Sequence, residues 1–421
     1  MQIKMDYGRS GLTIDVPTGS DVFTVRDVPA FADEAAAIRE ALHNPIQRPP
    51  IEALLRPGMK VLITHSDMTR ATPNDRLLPV IIDEIEKCGI KSEDITLINA
   101  LGTHRPQTKE ELVSMLGVDI VANYRCVQHD AYDETQHIPL EAFNHHKPIE
   151  VNRLLIEADL TILTGFIEPH FFAGYSGGPK AVLPALASAK SIFNNHNPEK
   201  IRHPNATFNK TLGNPVWEEM KTAAECIDNT FLVNVTLNRN NRITGVFAGD
   251  IIAAHQAGCT SVQGASVFKI SEPYDLVITS NSGYPLDQNL YQCVKGMTAA
   301  KNALREGGAI LLLAACEEGL PDHGEYAQRL KEAGSLKALL HAIAQPGYYG
   351  QDAWQVQIQA QVQQDADVYL YTDGLDDSQI KTSLLKPCRN LEQAIPELIN
   401  QYGPRVCVLP QGPLTILELA L

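Results

Sequence analysis

Several short stretches of this 421-residue chain gather side chains that can move protons, hold anions or take a covalent bond. HSDMTRATP (65–73) offers a carboxylate, a hydroxyl and a guanidinium in Asp67, Thr69 and Arg70, a set able to bind phosphate or carboxylate at a helix entrance. Its plainer reading is a helix N-cap by Asp67 or Thr69, with Arg70 in solvent. NALGTHRPQT (99–108) displays His104 after a glycine turn, and IEPHFFAG (167–174) displays His170. Two histidines on separate loops can serve as acid/base groups on either side of a substrate, although an isolated histidine is more often structural than catalytic. Joined by His196 of SIFNNHNPEK, they could instead form a three-histidine zinc site of the hydrolytic kind.

The stretch GYSGGPK (174–180) ends in Lys180. Pro179 before the lysine and Ala181 after it break the phosphate-loop spacing, which disfavours a nucleotide triphosphatase. Glycines that allow close backbone approach suit a lysine that is covalently attached or acts as a nucleophile, as in a Schiff-base or pyridoxal-phosphate enzyme. An exposed lysine on a glycine turn is the bland alternative. NSGYPLDQNLYQCVKGM (281–297) adds Tyr291, Gln292 and Lys295, the tyrosine and lysine being four apart and so on one helix face. Trp354 of YYGQDAWQVQIQA could stack on a planar ligand or simply pack in the core.

What positions these residues is an alternation of apolar runs with helical patterns. The runs MKVLITHSD (59–67), DITLINALGTH (94–104), LTILTGFIEPH (160–170), YDLVITSNSGYP (274–285), GAILLLAACEEG (308–319), DVYLYTDG (367–374) and RVCVLPQG (405–412) each end in glycine, proline or polar residues. Helical spacing follows at 76–89 and 289–307. Continuous apolar strands between helices predict an α/β protein with mostly parallel, helix-covered sheets, and ligands then bind beyond the strands' carboxyl ends. The chain is too long for one core, so two domains are expected, 1–268 and 269–421, with the active site in the cleft between them. The last segment, LPQGPLTILELAL, could pack on either.

Composition narrows the partners. A formal charge of −15 repels nucleic acid, so an anionic substrate needs a local basic cluster. The N-terminus lacks the apolar core of a signal peptide, and no apolar run approaches the roughly 18 residues of a membrane span, which predicts a cytoplasmic, soluble protein. Eight scattered cysteines without a C-x-x-C pair read as reduced thiols.

Together the motifs D-x-T-R-x-x-P (67–73), G-T-H-R (102–105), E-P-H-F-F-A-G-Y-S-G-G-P-K (168–180), N-N-H (194–196) and N-S-G-Y-P-L-D-Q-N-L-Y-Q-C-V-K-G (281–296) resemble those of the nickel-dependent lactate racemase family, the nickel-pincer-nucleotide 2-hydroxyacid racemases and epimerases. The resemblance implies that Lys180 is joined through a thioamide to a pyridinium mononucleotide whose two sulfurs and a ring carbon hold nickel, with His196 as the one protein ligand. It implies His104 and His170 as alternating acid/bases around a hydride shuttle that passes through a 2-keto acid. Arg70, Gln292 and Lys295 would take the substrate carboxylate, while Asp67, Thr69, Tyr291 and Trp354 would order the cofactor or its surroundings. Lactate is the expected substrate, and a sugar-acid 2-epimerase or another 2-hydroxyacid racemase is the runner-up. Separate cofactor-maturation enzymes are implied partners. A two-lobed binding protein without turnover is the remaining non-enzymatic reading.

Overall fold

The structure, a computed structural model, describes residues 1–140, 148–321 and 324–420. Its frame is two six-stranded sheets. The first runs in the order Ile243–Gly249, Thr230–Leu237, Leu160–Phe166, Val61–Ser66, Ile95–Ala100, Arg125–Gln128, parallel except for the antiparallel first pair. The second runs Lys386–Cys388, Ala366–Tyr371, Leu304–Leu313, Tyr274–Ser280, Val406–Leu409, Asp21–Val22 and is parallel throughout. The α/β architecture read from the alternating runs is the one observed.

The strands are apolar on both faces because both faces are covered. Alternate side chains go to opposite sides of a pleated strand. In the first sheet Ile63, Leu97, Ile162 and Phe231 therefore join the cluster beneath helix Asn74–Lys87, with Leu77, Ile81 and Ile85. Leu62, Ile98, Leu163 and Leu232 point the other way, into a second cluster that continues without a break to Val277, Ile310 and Leu312 of the second sheet. The two units thus share one core, so their relative placement is fixed by burial of apolar surface.

The termini do not respect a simple cut. Asp21–Val22 supplies the edge strand of the second sheet by pairing with Val406–Leu409, and Met5, Tyr7, Ile14 and Val16 pack with Leu276 and Ile278. The first 22 residues accordingly pack with the second sheet, although they lie inside the expected 1–268 unit. The C-terminal strand Ile416–Leu419 pairs in parallel with Val267–Ile270 at the expected boundary, so it straddles the units. Apart from these segments, a division near residue 268 is our proposal for the domain boundary. All eight cysteines are free. Among the described residues no helix is long and apolar enough to cross a membrane.

Candidate active site

Strands Leu160–Phe166, Val61–Ser66 and Ile95–Ala100 are neighbours in the first sheet and all point the same way. Their carboxyl ends must therefore lie side by side, and the loops leaving them carry His170, Asp67 with Arg70, and His104 to one place. A cavity of about 160 Å³ opens there. The first unit contributes Asp67, Arg70, His104, His170, Lys180 and His196 to its wall, and the second contributes Tyr291, Gln292, Lys295 and Trp354. Of the residues singled out in the sequence only Thr69 does not line it. Its N–H and its hydroxyl both donate to Asp67 Oδ1, at 2.9 and 2.6 Å, and it lines a side cavity that shares His104, Tyr291 and Gln292 with the main one. Neither Asp67 nor Thr69 caps the following helix, which starts after Pro73 without a side-chain cap.

Lys180 stands on a single 3-10 turn, Gly178–Ala181, after a two-residue hairpin pairing Pro169–His170 with Gly174–Tyr175. The glycine before that turn, Gly177, has φ +75°, and a Cβ there would lie 2.4 Å from Asn234 Oδ1. Gly178 has φ +54°, and its Cβ would meet the buried His255 ring at 2.3 Å. Only glycine fits both the backbone conformation and the space, which is how the chain presses this turn against the sheet and aims Lys180 inward. On the opposite wall, helix Leu290–Lys301 begins at Asn289, whose Oδ1 accepts from Gln292 N–H at 3.2 Å. Gly296 lets this helix lie against the strand end, since a Cβ would sit 2.8 Å from Ser280 O.

The electrostatics follow from burial and from three cations in one pocket. Burial, then Arg70 and Lys295, push the Lys180 amine down from 10.5 to about 7, so much of it is neutral at physiological pH. Lys295 falls to about 8 from burial and Arg70, opposed by the carboxylates of Glu168 and Asp67. His170 is buried; burial first, then Lys180, Arg70 and Lys295, hold its imidazole well below the usual value. Its Nδ1 accepts from Ala173 N–H at 3.3 Å. His196 is displaced in the same direction by burial, Lys180 and Lys200. Its ring meets Trp354 edge-on at 5.1 Å and Phe172 at 5.0 Å, and its Nδ1 is buried with no hydrogen-bond partner. Burial raises the Tyr291 hydroxyl.

One pairing escaped the sequence reading. His104 Nδ1 is hydrogen-bonded to Asp67 Oδ2, so Asp67, which the resemblance gave to ordering the cofactor or its surroundings, is the partner of a histidine. Burial works to raise the Asp67 carboxyl, but His104, Arg70 and Thr69 outweigh it and hold it well below the carboxylate range. The signal was present: both residues follow strands with the same carboxyl-terminal punctuation, but strand adjacency is not written in the sequence. Glu168, whose carboxyl is pushed up by burial against the opposing pull of Lys295 and Arg70, lines a small pocket with His170 and Lys295 and was also passed over. His104, His170 and His196 share the cavity, yet among the described residues no three histidine, cysteine or carboxylate side chains converge to hold a metal by themselves.

Such a cavity can bind an anion, attach a group to a neutral amine and place an imidazole on more than one side of a small molecule. The chain's likenesses agree. Residues 7–209 match the lactate racemase N-terminal domain and residues 270–417 the lactate racemase C-terminal domain. A lactate racemase of Thermoanaerobacterium thermosaccharolyticum is 34% identical over 418 residues, 97% of each chain, and one of Lactiplantibacillus plantarum is 36% identical over 383 residues, 90% of each. The lactate racemase apoprotein structure from T. thermosaccharolyticum superposes with a TM-score of 0.92 at 33% identity, covering 99% of this chain and 100% of that one. A crystal structure of a Thermotoga maritima protein, at 20% identity and a TM-score of 0.69, shares the fold over 92% of this chain and 98% of its own. With both halves matched in order and identity above 30% along nearly the whole length, this chain belongs to the lactate racemase family and is an isomerase.

Proposed function

We propose that this protein interconverts the two enantiomers of lactate, with a nickel-pincer nucleotide attached to Lys180 and two histidines exchanging the hydroxyl proton. The observation that carries this reading is a lysine amine brought near neutrality inside a cavity that also holds His104, His170 and His196. The pocket's own chemistry fits the cofactor. A buried amine with a value of about 7 can be acylated, whereas a fully charged ammonium cannot. His196 offers one imidazole, unengaged at its buried Nδ1, and among the described residues no set of three protein ligands forms there, as suits a nickel whose remaining ligands come with the nucleotide. When bound, that group supplies a centre able to accept a hydride and give it back.

The remaining work belongs to the protein. Arg70 and Lys295, helped by the Gln292 amide, neutralise and orient the carboxylate of a 2-hydroxy acid in an otherwise acidic body. His104, steadied through Nδ1 by Asp67, leaves Nε2 for the substrate hydroxyl. His170 rests neutral and meets the molecule from a different loop. With hydride exchanged at a single centre, inversion needs the planar keto acid to turn over before the hydride returns, and an imidazole at each position of the oxygen would take the hydroxyl proton in one orientation and restore it in the other. Trp354 and Phe172 pack edge-on against the His196 ring and fix its orientation in the cavity wall. A cytoplasmic location and dependence on maturation enzymes belong to the same proposal.

A larger, polar 2-hydroxy acid is the second reading. A side cavity of about 70 Å³ shares His104, Tyr291 and Gln292 with the main one and is lined by Gln288, Asn289 and Glu318, which could receive hydroxyl groups of a sugar acid. Intact mass of protein from a cofactor-competent host should show an adduct located on Lys180, and Lys180→Ala should reduce interconversion of D- and L-lactate to background. An unmodified chain that racemises lactate at the native rate would overturn the proposal. Turnover of a sugar acid far exceeding that of lactate would favour the second reading.

A further inference from the structure

Glu168 and Lys295 carry opposite charges, come from different units, and are each without a direct side-chain partner among the described residues. The Glu168 carboxylate and the Lys295 ammonium make no side-chain hydrogen bond or ion pair to each other or to another described residue. Yet both line the same small pocket of about 10 Å³, together with His170, Phe171, Phe208, Leu286 and Pro413. That volume is about the room of one water, and a water needs two or more polar neighbours to be held. The residues with ionisable side chains around it are Glu168, Lys295 and His170, in a wall otherwise made of phenylalanine, leucine and proline. A buried charge left uncompensated is costly, and a bridging water joins such groups almost as well as direct contact.

We propose that Glu168 is a positioning residue for Lys295: through one water in their shared pocket its carboxylate holds the ammonium charged and aimed at the main cavity, where Lys295 meets the substrate carboxylate. This rests on the reading that Lys295 binds that carboxylate. The groups around Lys295 are Arg70 and Asp67 on the loop after Val61–Ser66, Glu168 and His170 on the loop after Leu160–Phe166, Lys180 on its turn, and Cys293 on its own helix. Arg70 and Lys180 repel its charge, so the two carboxylates sustain it. Of these Asp67 is already engaged with His104, which leaves Glu168 as the carboxylate available to Lys295.

The test is a double-mutant cycle on the cofactor-loaded enzyme, Glu168→Gln with Lys295→Gln, alongside NMR titration of labelled lysine in the full-length cofactor-free chain. Glu168→Gln should raise KM for lactate about tenfold with kcat nearly unchanged, lower the Lys295 titration by about one unit, and add nothing in the Lys295→Gln background. Glu168→Asp, which keeps the charge, should recover part of both effects and guards against a Gln variant that folds poorly. An unchanged Lys295 titration, or a KM effect that persists without Lys295, overturns the inference. If Lys295→Gln itself leaves KM unchanged, the carboxylate-binding reading fails, and with it the proposed purpose of the pair.

Discussion

The two histidines of the cavity stand in opposite surroundings. His104 is about a third exposed, with its Nδ1 held by the buried Asp67 carboxylate. His170 is buried, has only a backbone N–H at its Nδ1, and is faced by three cations. One has a carboxylate to steady it, and the other is kept neutral. If the two imidazoles exchange the hydroxyl proton as proposed, the contrast teaches that the two orientations of the substrate are served by unlike groups. The equilibrium between enantiomers cannot reveal this, because a catalyst changes rates and leaves the equilibrium constant alone. The rate-limiting proton step in each direction can.

The strongest way to break the comparison is to delete each imidazole. His104→Ala and His170→Ala should each cost about 10²–10⁴ in kcat in both directions, measured by polarimetry or chiral chromatography on cofactor-loaded protein. If either variant keeps one direction at the native rate, the two-sided arrangement is wrong. A smaller effect should come from Asp67→Asn, which keeps the shape but removes the charge that steadies His104. It should lower kcat about 10- to 100-fold with cofactor content unchanged by mass spectrometry. An Asp67→Asn enzyme of native kcat would make the pairing incidental.

The smallest effect sharpens the electrostatic half of the contrast and needs no cofactor. Unfolded, Lys180 keeps its proton up to about 10.5, whereas folded it loses it near 7. Between those values the unfolded state binds the extra proton, so folding gains stability as pH rises. Lys180→Met should therefore be more stable than the native cofactor-free chain by a few kcal/mol at and below pH 7, the gap closing toward 10.5, as read by denaturant melts. A gap independent of pH would mean that the amine is not buried as a cation against Arg70 and Lys295.

Legibility differed between the parts of the molecule. The runs ending at Asp67, His104 and His170 announced themselves because a strand buried on both faces must be apolar throughout and must stop where polar residues return. The helices at Asn74–Lys87 and Leu290–Lys301 were visible for the same reason of periodicity. That Thr69 donates to Asp67 and does not line the main cavity was not legible, because a turn decides which of two neighbouring side chains faces a cavity, and residue type does not record the turn. The Asp67–His104 pair and the Glu168–Lys295 pocket were hidden because their members are 37 and 127 residues apart, joined only by strand order and by the packing of one unit on the other.

By itself the sequence determined the kinds of chemistry available: a lysine set among glycines, three histidines at loop positions, and basic residues in an acidic chain. Those are properties of local composition, which survives without a fold. The tertiary structure decided which groups meet and at what charge. Burial and the neighbourhood of Arg70 brought the Lys180 amine down to about 7, and the adjacency of two parallel strand ends gave His104 its carboxylate. Proton affinity depends on solvent access and on charges a few ångströms away, and both come into being only when the chain is packed.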